Sequence, residues 1–290
     1  LERTREIGIL RALGAGRASG LVVLHVARHW QRVLEGQSKR ALEKLLPQVL
    51  ATRHWVGGKT KEVRSTNVAD VIPLKAAGES PSILLVLLRV EYVEEEAETY
   101  LLPLAYVTGE RAASMLADNV SAVLARLQVA QQGGTEEGLL CDGFADERFS
   151  RILLDIIGSR RRLAGSLGKL LGQPARSYRE LCGPTEEPLA IRVLPGEQSN
   201  SLVVYGDRLL LKLFRRLEEG TNPDLELGSF LTETASFPHI APVAGSIEYR
   251  GQEGTSCTLA ILQGFVRNEG DAWTYTLDAV HRFFERVLTK

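Results

Sequence analysis

Several things are scarce in this 290-residue chain, and each scarcity excludes something. Basic and acidic residues number 35 and 36, so the net charge is −1. No charge surplus calls for nucleic acid or an anionic membrane as partner, and Arg160-Arg161-Arg162 reads as a solvated helix end. Cysteine occurs three times, as Cys141, Cys182 and Cys257, far apart and odd in number. Neither a disulfide framework nor a metal-ligand spacing can be read from them, which implies a reducing, cytoplasmic setting. The apolar run Ile83–Leu88 stops at Arg89, strand length and far short of the ~20 residues of a membrane helix. No signal peptide is visible, because Glu2, Arg3, Arg5 and Glu6 stand where its apolar part would begin. The chain opens on Leu1, which reads as an excerpt of a longer protein. What remains, 44% hydrophobic and 24% charged residues, describes an ordinary globular chain with material for two or three compact units.

The pattern along the chain predicts an α+β protein. Ser38–Leu46 reads as a helix that Ser38 can cap, with Pro47 ending it or opening a new turn. Strand-like runs follow at Val68–Leu74, Ile83–Tyr92 and Thr99–Tyr106, with Glu94-Glu95-Glu96 as a solvated hairpin tip. Residues 107–185 read as a helical intermediate segment, in which Phe149, Ile152, Leu153, Ile156 and Ile157 form one stripe. The glycine-rich stretch 165–172 is punctuation. Strands return from residue 186. Val203–Tyr205 and Leu209–Phe214 flank Gly206-Asp207 as a tight two-residue hairpin. Asn222 caps a helix with Pro223 at its first position. Further strands lie near Ile247 and at Thr258–Val266. A last helix, from Asp271, carries the apolar stripe Trp273, Leu277, Val280, Phe284, Val287 and Leu288.

One stretch points to chemistry. Lys212 stands in the apolar strand Leu209–Phe214, and alternation puts Leu210 and Phe214 on its own face. Its ammonium must reach over apolar surface to a partner. Glu226, on the next helix, can be that partner. The polar loop Ser199-Asn200-Ser201 offers hydroxyl, amide and backbone donors where the chain turns back. A strand lysine, an acid on the following helix and a donor-rich loop are what a kinase uses to grip a triphosphate. The plain alternative is a solvated lysine beside an ordinary polar turn.

Longer words carry a family resemblance. Glu197-Gln198-Ser199-Asn200, Tyr205-Gly206-Asp207-Arg208, Leu211-Lys212-Leu213-Phe214-Arg215-Arg216, Asn222-Pro223-Asp224-Leu225-Glu226 and Gly270–Asp278 resemble the maltokinase family, ATP-dependent sugar kinases of aminoglycoside-phosphotransferase-like fold. Trp55 and Gly58-Lys59 resemble that family's amino-terminal cap, and Tyr100–Ala105 its closing strand. The resemblance implies a cap subdomain of helix plus antiparallel sheet over 38–106, after an unassigned segment 1–20 and a linker 21–37. It implies a protein-kinase-like nucleotide-binding lobe over 186–266, and a hinge with a first helix toward an absent catalytic lobe over 267–290. It further implies that Ser199, Asn200 and Ser201 cover the ATP phosphates and that Lys212 contacts them, paired with Glu226. Gln263 and Phe265 or Val266 would meet adenine through their backbone. The implied reaction converts maltose and ATP to maltose 1-phosphate and ADP, for α-glucan synthesis, and some relatives are fused to a trehalose synthase.

The match has gaps. Ser201-Leu202 replaces a Thr-Ser pair, Glu269 a glutamine and Val56-Gly57 an aromatic-small pair. The family's His-Gly-Asp and Asp-Phe motifs, which supply the base and the Mg2+ ligands, are absent: none of the five histidines precedes Gly-Asp. The resemblance therefore assigns no catalytic residue and no metal ligand here, and the chain alone is expected to be catalytically incomplete. Two other readings stay open. One is a non-enzymatic nucleotide-binding or interaction module, since Glu2–Ala15 resembles a cytoplasmic segment of MacB/FtsX-type ABC permeases. The other is a kinase of the same fold acting on another hydroxyl, such as an aminoglycoside's.

Overall fold

The computed structural model describes residues 20–53, 55–56, 61–75, 82–183, 189–194, 200–268, 270 and 272–288. The permease-like segment, Gly58-Lys59, Glu197, Gln198, Ser199 and Glu269 lie outside them. The fold is α+β, built on two seven-stranded sheets.

The first sheet contains β1 (Val23–Ala27), β2 (Val63–Leu74), β3 (Ile83–Tyr92), β4 (Glu98–Thr108), β5 (Val123–Gln131) and β6 (Gly134–Asp142), in the order β1-β5-β6-β4-β3-β2. Only β1–β5 is parallel among its pairs. Helix α1 (Gly36–Leu50) covers one face, and α2 (Gly109–Asp118) follows β4. The second sheet is antiparallel. It contains β7 (Arg162–Ala164), β8 (Lys169–Pro174), β9 (Ile191–Leu194), β10 (Asn200–Tyr205), β11 (Leu209–Phe214), β13 (Val243–Arg250) and β14 (Ser256–Gly264), ordered β7-β8-β13-β14-β11-β10-β9. Helix α3 (Glu147–Gly158) precedes it, and α4 (Tyr178–Cys182), α5 (Pro223–Ser229) and α6 (Ala272–Leu288) complete the fold. The two-residue strand β12 (Arg216–Leu217) leaves β11 and pairs with β4, stitching the sheets together.

Strand β3 explains why 83–90 is so apolar. Ile83, Leu85 and Leu87 face a core shared with α3 and the second sheet, while Leu84, Val86, Leu88 and Val90 face α1. A strand buried on both faces reads as a continuous run rather than an alternation. The shared core takes Phe149, Ile152, Leu153, Ile156 and Ile157 from α3 and Val203, Tyr205, Leu209, Leu211 and Leu213 from the hairpin. Helix α3 lies so close to β8 that a Cβ on Gly172 would collide with the Ile156 carbonyl oxygen.

Several local expectations are corrected. The linker 21–37 contains β1, held at the sheet edge by β5. The segment 107–185 is not helical throughout: β5 and β6 extend the cap sheet beyond residue 106, and β7–β8 form a hairpin over much of 165–172. Helix α1 runs through Pro47 to Leu50. Proline has no N–H to give the Glu43 carbonyl, and the Thr66 hydroxyl donates to that oxygen instead, at 2.7 Å. Ser38 caps nothing; its hydroxyl donates to the His25 carbonyl. The β10–β11 turn has three residues, 206–208, between the paired Tyr205 and Leu209, with Gly206 at φ 56°. That φ is left-handed and suits glycine.

Candidate functional site

Strand parity splits the β10–β11 hairpin into two faces. Leu209, Leu211 and Leu213, with Val203 and Tyr205, enter the shared core. Lys212 and Phe214 lie on the opposite face, beside Asn200, and line a cleft of about 470 Å3. Its remaining wall comes from Arg216, Glu218, Glu219, the 220–224 segment and Thr258.

Helix α5 closes one side of this cleft for local reasons. The Asn222 side chain accepts from the Asp224 N–H, and Pro223 fills the first turn. The Asn222 N–H donates to the Thr258 hydroxyl on β14, which fixes the cap to the sheet. Leu225 packs on Phe214, Val243 and Ile261. With Leu225 turned to the sheet, Asp224 reaches Lys212: the Nζ–Oδ2 distance is 2.6 Å. The partner is therefore Asp224 and not Glu226. At about 100° per helical residue, the two acids differ by roughly 200°, so only one can face the lysine.

Lys212 is 29% exposed and Asp224 60%, and the ammonium also lies 5.2 Å from the Phe214 ring centroid. An exposed pair of this kind contributes little to stability, about 0–1 kcal/mol. Its effect is to aim the ammonium. Among the described residues no hydrogen bond engages the Asn200 carboxamide, which is left to face the cleft.

Other expected site residues stand differently. Ser201 points away from the cleft: it is 6% exposed, and its hydroxyl accepts from Arg215 Nε at 2.7 Å. It shares strand parity with Val203 and Tyr205, so its hydroxyl is not available to a ligand on the Lys212 face. The Phe265 N–H donates to the Arg208 carbonyl and is not free for adenine. Gln263 is paired with Leu210 on β11, and Val266 is exposed beyond the end of β14. Lys212, Asn200 and Asp224 are thus brought together, with Gln263 farther along the sheet and Glu226 outside the group.

The sequence reading missed the seam behind the cleft. Arg215, 2% exposed, sits between the rings of Trp55 and Phe144, each centroid 5.0 Å from its guanidinium carbon. Its Nη2 pairs with Asp142 Oδ2 at 3.0 Å. Asp142 also accepts the Phe144 N–H, and the Arg215 carbonyl accepts the Leu101 N–H. Burial draws the nearby Arg53 guanidinium below its ordinary pKa, with Asp142 opposing that shift and Arg215 adding to it. A signal existed: two adjacent arginines close an apolar strand, and both cannot serve the same face.

Two further polar knots are present, and the first ties the sheets. Asp70, almost fully buried, accepts from the Ser166 and Leu167 N–H groups and from the Tyr249 hydroxyl. Burial first, then the Asp70 contact, raises the Tyr249 phenol. Glu98 accepts from Tyr100, Tyr92, Lys61 and Arg216. Burial alone would lift its carboxyl, but the Tyr100, Tyr92 and Lys61 hydrogen bonds outweigh that and hold it below the usual 4.5.

Among the described residues, no group of three or more His, Cys, Asp or Glu side chains could hold a metal ion, and no helix is long and apolar enough to cross a membrane. Similar solved structures include a glucosamine kinase in complex with glucosamine, ADP and inorganic phosphate, at 12% identity and a TM-score of 0.41, covering 81% of this chain and 44% of that one. Glucosamine kinase in its crystal form A gives 13% identity and a TM-score of 0.40, covering 81% and 45%. The chain thus spans less than half the length of these kinases. Residues 50–146, which contain Trp55, β2 to β6, Asp142 and Phe144, match the family model of the maltokinase N-terminal cap domain.

Proposed function

We propose that this chain binds ATP on the open face of the second sheet, and that the whole protein transfers the γ-phosphoryl group of ATP to the anomeric hydroxyl of maltose. The products are maltose 1-phosphate and ADP. One observation carries the reading: a strand lysine, aimed by an acid on the following helix, lines a cleft in a chain that also bears a maltokinase-type cap.

The residues fit a nucleotide. A cleft of about 470 Å3 is within the size range of small-ligand sites. Lys212 supplies a cation for phosphate oxygens, and Asp224 holds it in place until a ligand arrives. Asn200 adds an amide donor on the same face. Gln263 and Val266, near the end of β14, are the proposed contacts for adenine. The cleft wall carries Lys212 and Arg216 against Glu218, Glu219 and Asp224. That balance favours a nucleotide whose charge is partly neutralised by its own divalent cation over bare ATP. The described residues offer no ligand set for that cation, so it belongs to the nucleotide in this reading.

In the transfer, the bond from γ-phosphorus to the β-γ bridging oxygen breaks and a bond to the sugar oxygen forms. The hydroxyl proton must leave to a base, and no residue of this chain is assigned that role. The chain is the gripping part of the reaction and is proposed to be inactive alone.

The test is thermal denaturation with and without magnesium-ATP. A ligand at 100 times its Kd stabilises by about 2.7 kcal/mol, so the wild-type melting temperature should rise by several degrees. Lys212→Ala should abolish the rise. No rise in the wild type, or an equal one in the variant, would overturn the reading.

A further inference from the structure

Arg215 follows Phe214 at the end of β11, three residues after Lys212, and its side chain turns to the other side of the sheet, into the seam with the cap. There it makes three kinds of contact at once. Its Nε donates to Ser201, the neighbour of Asn200 on β10. Its guanidinium is fixed on Asp142 between Trp55 and Phe144 of the cap. Its backbone carbonyl takes the Leu101 N–H of β4.

The place of these contacts matters. The β10–β11 hairpin is closed by its turn at Tyr205–Leu209 and open at Asn200–Phe214. Asn200 lies at the open end and Lys212 two residues from it, where a hairpin frays most readily. Arg215 bridges the two strands at that end and anchors both to the cap. A buried ion pair is not itself a strong source of stability, since apolar replacements are often as good. What such a pair supplies is one defined arrangement of its neighbours.

We propose that Arg215 is a positioning residue: seated on Asp142 of the cap, it holds the Asn200 and Lys212 strands at the spacing that a polyphosphate requires. It touches no ligand. The cap thereby becomes part of the nucleotide site without lining it, and a disturbance of the cap seam is felt as loss of phosphate affinity. The proposal rests on the nucleotide reading above.

The experiment is a calorimetric titration of the full chain with magnesium-ATP and, separately, with adenosine, which has no phosphates. The variants are Arg215→Met/Asp142→Asn, which removes both charges and keeps an acceptor for the Phe144 N–H, and Ser201→Ala, which cuts only the link to β10. The double variant should weaken ATP binding about tenfold and Ser201→Ala about threefold, with adenosine affinity unchanged. Equal weakening of ATP and adenosine would reduce Arg215 to a purely structural role and overturn the proposal, as would unchanged ATP affinity. Should the double variant fail to fold, Ser201→Ala decides alone. If the wild type shows no Lys212-dependent preference for ATP, the nucleotide reading fails and takes the inference with it. If that preference exists but survives in the Arg215 and Ser201 variants, only the inference fails.

Discussion

The two sheets are equal in strand number and opposite in use. The cap sheet is sealed at its centre: β3 is buried on both faces, and polar knots form around Asp70, Glu98 and Asp142. The second sheet is sealed on one face only. Its other face, at Lys212, carries a small apolar patch under α5 and a polar cleft beside it. Charge at Asp70, Glu98 and Asp142 is structural, because each has protein partners that burial makes hard to replace. Charge on the open side is available, because the Lys212–Asp224 pair is solvated and can exchange partners at little cost.

That contrast can be broken most directly by removing one charge from each side. Asp142→Ala leaves the Arg215 guanidinium buried without its carboxylate, and should cost about 3–5 kcal/mol in urea denaturation. Lys212→Ala and Asp224→Ala should each cost less than about 1 kcal/mol. Equal costs on the two sides would erase the distinction.

A second pair of variants sharpens the account of the sealed side. Thr66→Val removes the hydroxyl that serves the Glu43 carbonyl and should cost about 1–2 kcal/mol. In a Pro47→Ala background, residue 47 supplies its own N–H to Glu43, so the same change should cost markedly less. An undiminished cost would mean that the hydroxyl acts by another route.

The smallest expected effect is the pH response of Glu98. Its carboxyl is held below the ordinary 4.5, so the folded state binds its proton more weakly than the unfolded state does. The stabilisation is complete above pH 4.5 and is lost as pH falls through the lower folded value. Melting curves taken downward from pH 6 should show that loss, and Glu98→Gln should flatten it. A steeper acid loss in the variant would contradict the assignment.

Much of the fold was legible in the sequence, for identifiable reasons. The α3 stripe keeps helical period through five buried residues, and Ile83–Tyr92 matches β3 to the residue. The Asn222-Pro223 cap is local chemistry and forms as expected. Strands β5 and β6 were hidden because alanine-rich sequence precedes them, although Leu127 and Val129 alternate and a two-residue turn links the strands. Strand β1 is short and gains its partner from a hundred residues away. At the candidate site, the lysine was legible from its apolar frame, but its partner was not. Choosing Asp224 over Glu226 needs the helix phase, which the packing of Leu225 sets. Placing Ser201 needs strand parity: in a loop its hydroxyl could serve a phosphate, while in β10 it faces Arg215. The Arg215–Asp142 seam joins residues 73 apart in sequence, and only the folded sheets bring them together.

The central claim is that Lys212 stands where the phosphates of a nucleotide would lie. An ATP acyl-phosphate probe transfers its acyl group to a lysine amine held against the phosphate chain, and peptide mapping then identifies that lysine. Lys212 should carry the label at low probe concentration, and excess magnesium-ATP should protect it. Labelling spread over surface lysines with Lys212 unmodified, or labelling of Lys212 that ATP does not diminish, would contradict the account.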